Sequence, residues 1–137
     1  MASAPGWVRI AFPEPKQINR VVVHTIDSPA FPAAQYGVRE LKLFYRKTSA
    51  IGISNWVEVQ VIGNTKKTKS LIAHNNKGVI MFRFQPVKTD EIRILVLDTN
   101  DSKEVGKGTL KEGIVRLIEI AVYGFEKKPV AIELSKM

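Results

Sequence analysis

Hydrophobic and polar residues alternate with a period of two along most of this chain, the spacing of strands with one face in a core. Residues 7–12 and the near-continuous apolar run 21–26 predict two strands, parted by Pro13-Glu14-Pro15, because proline lacks the ladder donor. Over 40–46, Leu41, Leu43 and Tyr45 oppose Lys42, Phe44 and Arg46. Over 56–61, Val57, Val59 and Val61 oppose Glu58 and Gln60. Residues 79–84 set Ile80, Phe82 and Phe84 against Arg83, and residues 91–97 turn Ile92, Ile94 and Val96 inward. The last clear strand, 115–124, sends Ile118, Ile120 and Val122 one way and Leu117, Glu119, Ala121 and Tyr123 the other. Gly124 ends it at a position expected to be a turn that needs a permissive backbone. Loops are predicted at 27–37, 48–55, 63–78 and 98–113, the third with a short strand at 70–72. No segment keeps a helical period. Short strands spaced by turn signals predict an all-β sandwich, with Trp7, Trp56 and Tyr123 at least partly buried.

The chain has 137 residues, a length that suits one core. We assign residues 1–125 to a single β-sandwich domain and 126–137 to a C-terminal extension. In the extension Val130, Ile132 and Leu134 alternate with Ala131 and Glu133 after Lys127-Lys128-Pro129. Residues 130–134 are either a frayed end or an added strand, docked on their own sandwich or on a neighbouring copy.

Charge changes the picture more than composition does. The net charge of +8 favours acidic partners, or serves solubility alone. Residues 64–88 hold Lys66, Lys67, Lys69, Lys77, Arg83 and Lys88 with no carboxylate between them. Lys66, Lys67 and Lys69 are the candidates for gripping an anionic partner, and a solvated basic face is the plainer reading. The only interleaved aromatics there, Phe82 and Phe84, alternate with Arg83 and read as core, which argues against nucleic acid. With no cysteine, neither disulfides nor thiolate metal sites are open to the chain. The first six residues have no basic start or apolar run, so no signal peptide is expected, and no stretch is long and apolar enough to span a bilayer.

Catalytic patterns are missing. There is no serine elbow, and no acid–base pair stands out, so the chain is read as not an enzyme and as needing no cofactor. His24 sits in an apolar strand and reads as a satisfied strand residue; His74, beside Asn75 and Asn76, reads as solvated. The run Asp98-Thr99-Asn100-Asp101-Ser102 has oxygen ligands but Lys103 and Thr109 where a calcium loop needs glycine and glutamate, so it reads as a turn. Glu119, a carboxylate in an apolar strand, would be costly to bury alone, so a partner is expected.

An ordered set of segments resembles the discoidin family, the type C domains of coagulation factors V and VIII. They are Trp7 to Phe12 with Pro15, Ile18, Asn19 and Arg20; 21–28; Tyr36-Gly37; 41–45; 55–59; 92–94; and 116–124. The resemblance implies a discoidin-like, galactose-binding-like jelly-roll β-sandwich. It implies a non-catalytic module that recognises a carbohydrate or other surface ligand, in cell adhesion for example, through loops at one end. Phe31, Gln35, Tyr36, His24 and Asp27 are the ligand-binding candidates: aromatic faces stack on sugar rings, and amides and carboxylates fix hydroxyls. The alternative for 27–37 is a loop packed on the sandwich by its own Phe31 and Tyr36. Glu119 matches a family calcium ligand, but the acidic N-terminal segment that supplies the co-ligands is missing ahead of Trp7, so no metal is expected. The second functional reading is a structural or decoration component of a virus particle, phage tail or extracellular filament. That reading would use residues 130–134 to build a homo-oligomer or larger assembly. Both readings place the chain outside cells, at a cell surface or on a virion rather than in the cytoplasm.

Overall fold

A computed structural model describes residues 3–101, 103–104, 111–124 and 130–134. Outside the described residues lie the start at 1–2, residue Ser102 of the expected turn, most of the glycine- and lysine-rich loop at 105–110, and Lys127-Lys128-Pro129. In chain order the elements are β1 (Ser3–Ala4), β2 (Gly6–Thr25), α1 (Ala33–Tyr36), β3 (Val38–Thr48), β4 (Ser54–Glu58), β5 (Val79–Thr99), β6 (Lys103–Glu104), β7 (Lys111–Ile114), β8 (Leu117–Gly124) and β9 (Ala131–Leu134). Among the described residues the strands form a six-stranded sheet in the order β4-β3-β5-β2-β8-β9 and a three-stranded one, β1-β7-β6.

The larger sheet is one antiparallel ladder folded over on itself. Two predicted strands on each side of the ladder are the two arms of one long bent strand. In β2 the register jumps between Ala11, opposite Glu91, and Lys16, opposite Thr89. Pro13 and Pro15 fall in that jump, where no ladder donor is needed. Across from them the Thr89 hydroxyl donates to the carbonyl oxygens of Arg46 (2.7 Å) and Glu91 (3.0 Å). Arg46 also grips Asp90, its Nε 2.8 Å from Oδ1. One layer is then β4, β3, the second half of β5 and the first half of β2. The other is the first half of β5, the second half of β2, β8 and β9. Ile10, Leu43 and Ile94 from the first layer meet Val21, Phe82 and Ile120 from the second in a single buried cluster. Burying each such side chain contributes about 1.5–3 kcal/mol. The result is a jelly-roll β-sandwich.

Two details differ from the sequence reading, and the two tryptophans are partly buried as it expects. Ile118 is 46% exposed, and Leu117 takes the core position instead. The register runs His24 to Glu119 and then Thr25 to Leu117, so Ile118 is the extra residue of a bulge and the alternation slips there. Residues 70–72 are no strand: Ile72 makes an isolated bridge to Leu41, and Ser70 is fully buried by Glu58, whose carboxylate takes its hydroxyl and N–H. Trp7 is 50% and Trp56 36% exposed, on the outer face of the first layer. The Trp7 ring meets Phe44 edge-on at 5.4 Å, and the Arg93 guanidinium lies 4.0 Å over Trp56.

β9 continues the second layer, pairing from Val122 opposite Ala131 to Glu119 opposite Leu134. The tail thus docks on its own sandwich. Ile132 remains 55% exposed there, so the strand adds hydrogen bonds and edge cover rather than much burial. Deleting residues 130–137 should lower the melting temperature by about 5 °C, the equivalent of roughly 1 kcal/mol, and leave the solution mass that of one chain. Loss of a larger assembly with unchanged melting would mean that the strand's working partner is another copy.

Candidate functional site

Four loop segments meet at one end of the sandwich, clipped by buried or half-buried polar groups. The Asn100 amide donates to the carbonyl oxygens of Ala33 (2.8 Å) and Asn75 (3.0 Å), and its N–H donates to that of Gly37 (2.9 Å). The Asn75 amide reaches the carbonyl oxygens of Val38 (2.8 Å) and Lys77 (2.9 Å), while its N–H donates to that of Arg39 (2.9 Å). Thr25, at the end of β2, donates its hydroxyl to the Arg116 carbonyl (2.9 Å) and accepts the Val38 N–H (3.2 Å). These clips join the segments near 26–37, 73–78, 98–101 and 116 into one surface. Residues of this kind favour such work because a side-chain amide or hydroxyl can close a turn that the backbone leaves open.

Within the first loop, Asp27 is spent on structure. Its Oδ1 accepts the Ala33 N–H at 3.1 Å, where the short α1 begins. Its side chain occupies the space a Cβ on Gly78 would need, 2.7 Å from Asp27 Oδ2. Phe31 and Tyr36 meet edge to face at 5.2 Å. Tyr36 is held from the other side by Arg116, whose guanidinium lies 5.3 Å from the ring centre and donates to the Tyr36 carbonyl at 3.4 Å. Arg116 is oriented in turn by Asp101 Oδ2 at 2.6 Å, and Asp101 Oδ1 accepts the Thr99 hydroxyl at 2.6 Å. Burial works to raise the Asp101 carboxyl, but Thr99 and Arg116 outweigh it and hold the group below its ordinary value. Phe31 stays 46% exposed, and Gln35 is exposed beside it.

The open chemistry lies next to this loop. Arg39 Nη2 is 3.2 Å from His74 Nδ1, and Arg39 Nε is 4.0 Å from Asp98 Oδ2. A guanidinium can only donate, so Nδ1 accepts, and the imidazole proton sits on Nε2. The pair therefore offers a guanidinium fork and an N–H donor side by side, with a carboxylate acceptor behind. His74 adopts φ 55°, the left-handed region, at a cost of about 1 kcal/mol. The Asn75 clips next to it hold it there. Sequence reasoning placed His74 in solvent and did not single out Arg39, Asn75, Asn100 or Arg116. Pairs 35 residues apart, such as Arg39 and His74, carry no spacing signal.

The other predicted residues lie elsewhere. His24 is on the outer face of the second layer, opposite Val79 and Glu119. Glu119 is half-buried with His24 as its strand neighbour, and its carboxylate makes no hydrogen bond to another described residue. Lys66, Lys67 and Lys69 are exposed in a loop braced by Asn64 and Thr65, with Lys69 at φ 53°. Among the described residues no three acidic, histidine or cysteine side chains are grouped to hold a metal ion, and no helix is long and apolar enough to cross a membrane.

No protein-family model matches the chain, and no curated protein does. Solved structures do match in fold. A second family 32 carbohydrate-binding module of a GH31 protein, bound to GalNAc, superposes with a TM-score of 0.58 at 15% identity, covering 88% of this chain and 65% of that one. The family 32 module of Streptococcus pneumoniae EndoD gives 0.58 at 15% identity over 89% and 73%. A pectin-binding carbohydrate-binding module gives 0.53 at 16% over 93% and 73%. The chain thus spans about two thirds to three quarters of these chains and shares their jelly-roll fold.

Proposed function

We propose that this chain is a non-catalytic carbohydrate-binding module of the discoidin type, which takes a sugar at the loop end of its sandwich. The observation that carries the reading is the Arg39–His74 pair, fixed at 3.2 Å by a left-handed backbone and the Asn75 clips. A strained residue held in place by its surroundings fits a binding role better than a solvated turn. Pyranose hydroxyls on neighbouring carbons need closely set donors and acceptors, which Arg39, His74 Nε2 and Asp98 supply. Phe31, on the adjacent loop, offers an exposed aromatic face for the apolar side of a ring. Gln35 adds an amide beside it, whereas Asp27 and Tyr36 act by shaping the loop. The fold shared with family 32 modules adds support at the level of architecture. A module of this kind works outside the cell or at a surface, attached to or beside whatever acts on the glycan.

The test is a glycan array on the whole chain, followed by calorimetry with the best neutral sugar. Arg39→Ala should weaken binding at least tenfold, since it removes a charged hydrogen bond to a positioned hydroxyl, about 1.5 kcal/mol, and His74→Ala, which removes a neutral donor worth about 1 kcal/mol, about fivefold. Their melting temperatures should stay within 2–3 °C of the parent, because both side chains are at the surface. Binding that survives both substitutions would move the site away from this end.

A further inference from the structure

The outer face of the second layer carries a feature that the loop site does not use. Arg20 in β2 stands directly opposite Arg83 in β5, and on its other side directly opposite Tyr123 in β8. Like charges at facing positions of a ladder repel one another. Neither arginine forms an ion pair with any described residue. The Arg20 guanidinium is fixed 4.0 Å over the Tyr123 ring, and its Nε is buried without a hydrogen-bond partner. A pocket of about 250 Å³ opens between Asn19, Arg20, Arg83, Tyr123 and Gly124. It is walled almost wholly by polar groups.

The facing charges and the polar pocket point to one kind of ligand. Two unneutralised guanidiniums in register, one pre-oriented by an aromatic face, present several N–H donors to one small space. An oxyanion there would relieve the repulsion, which a neutral hydroxyl would not. The next row of the same face is Met81, Val22, Ala121 and Ile132, in register across four strands, so the anion would be met beside an apolar strip. Lys66, Lys67 and Lys69, the basic residues that the sequence brings to notice, are exposed on a separate loop.

We infer that Arg20, Arg83 and Tyr123 form an oxyanion site on the sheet face, apart from the loop end, which takes a carboxylate or sulfate substituent of an acidic polysaccharide. This inference rests on the carbohydrate-binding reading for the identity of the polymer, but not for the anion chemistry. The module would grip a neutral unit at its end and a charged unit on its flank.

The experiment uses the full chain, its Arg20→Gln/Arg83→Gln double variant and a Lys66→Gln/Lys67→Gln/Lys69→Gln variant. Each is run in affinity gels containing polygalacturonate, dextran sulfate or neutral galactan, and each is melted with and without inorganic sulfate. The double arginine variant should lose at least tenfold in affinity for one or both acidic polymers and should lose most of the melting shift that sulfate gives the parent. It should bind galactan as the parent does. Preference between the two acidic gels tells carboxylate from sulfate. The lysine variant should change retention less than threefold. If the arginine variant is retained like the parent, or the lysine variant loses as much, the site is wrong and binding is diffuse charge. Tighter binding of a single-stranded oligonucleotide than of either polymer, lost with the same arginines, would overturn the glycan as its source. Loss of galactan binding in the Arg39 and His74 variants alone, or its absence from the parent, bears on the loop site and leaves this result to be read separately.

Discussion

Gly124→Ala should be the most damaging single substitution at the rim of the sandwich, lowering stability by about 3 kcal/mol or more and the melting temperature by about 10 °C or more. A Cβ at this position would lie 2.1 Å from the carbonyl oxygen of Gln17. That oxygen belongs to the backbone of β2, next to Ile18, which is paired with Gly124 on one side and Val87 on the other. A flexible side chain could swing away, but this carbonyl can retreat only by pulling β2 off both neighbours. Ile18 is 1% exposed, so the movement would also open the core. The reason for glycine differs from the one that the sequence suggests. Gly124 is not among the residues with left-handed backbone, which among the described glycines are Gly52 and Gly63. Closeness of two backbones, not conformational freedom, excludes a side chain here. Chemical denaturation of the variant checks this. A midpoint shift of less than about 2 °C on melting would show that β2 and β8 can part at this rim without loss.

The same distinction runs through what the sequence disclosed. Period-two alternation is a direct imprint of a sheet with one face buried, so Leu41, Leu43, Ile80, Phe82, Ile92 and Ile94 could be assigned to the core from their spacing, and all are buried. A bulge breaks that imprint without leaving one of its own. Ile118 therefore looked like core, and only pairing with a partner strand reveals the slip. Trp7 is only half-buried, and parity explains why. With Ile10 and Phe12 buried, the parity of β2 already sends Trp7 outward, and hydrophobicity alone does not override parity. The candidate sites were the least legible part. Phe31 and Gln35 could be picked as exposed loop residues because loops announce themselves through proline and glycine. Arg39, His74 and Asp98 come from three separate segments, and Arg20 and Arg83 from two, so their meeting is a property of register, which no local pattern encodes. The jelly-roll topology came only with the ordered resemblance to known modules, since alternation does not say which strand lies beside which.

Asp101→Asn should loosen the loop end and change how the protein responds to acid. Asp101 and Arg116 are 15% and 16% exposed at their side chains and 2.6 Å apart. Removing one charge leaves the other poorly solvated, and for a pair this shielded the cost is about 2–3 kcal/mol at neutral pH. The sign of the acid effect follows from the direction of the shift. In the folded protein the Asp101 carboxyl titrates below its ordinary value, despite burial, because Thr99 and Arg116 favour the charged form. Its stabilising contribution is therefore complete above the unfolded carboxylate range near pH 4 and is lost as pH falls through the lower folded value. The parent and Asp101→Asn should differ most above about pH 5 and draw together as pH falls below the ordinary aspartate range. Asp90 is shifted the same way by Arg46, but it lies in the open and serves in both proteins, so it does not affect the difference. The functional consequence follows from what Arg116 holds. Without Asp101 the guanidinium is free to leave the Tyr36 ring and carbonyl, and Phe31, set edge to face on Tyr36, loses its support. Sugar binding should weaken about threefold to tenfold in Asp101→Asn, with a larger loss of entropy on binding as the loop is ordered by the ligand. A stability difference that stays constant from pH 7 to pH 2 would mean that Asp101 carries no charge-dependent load. Unchanged sugar affinity would detach the latch from the site.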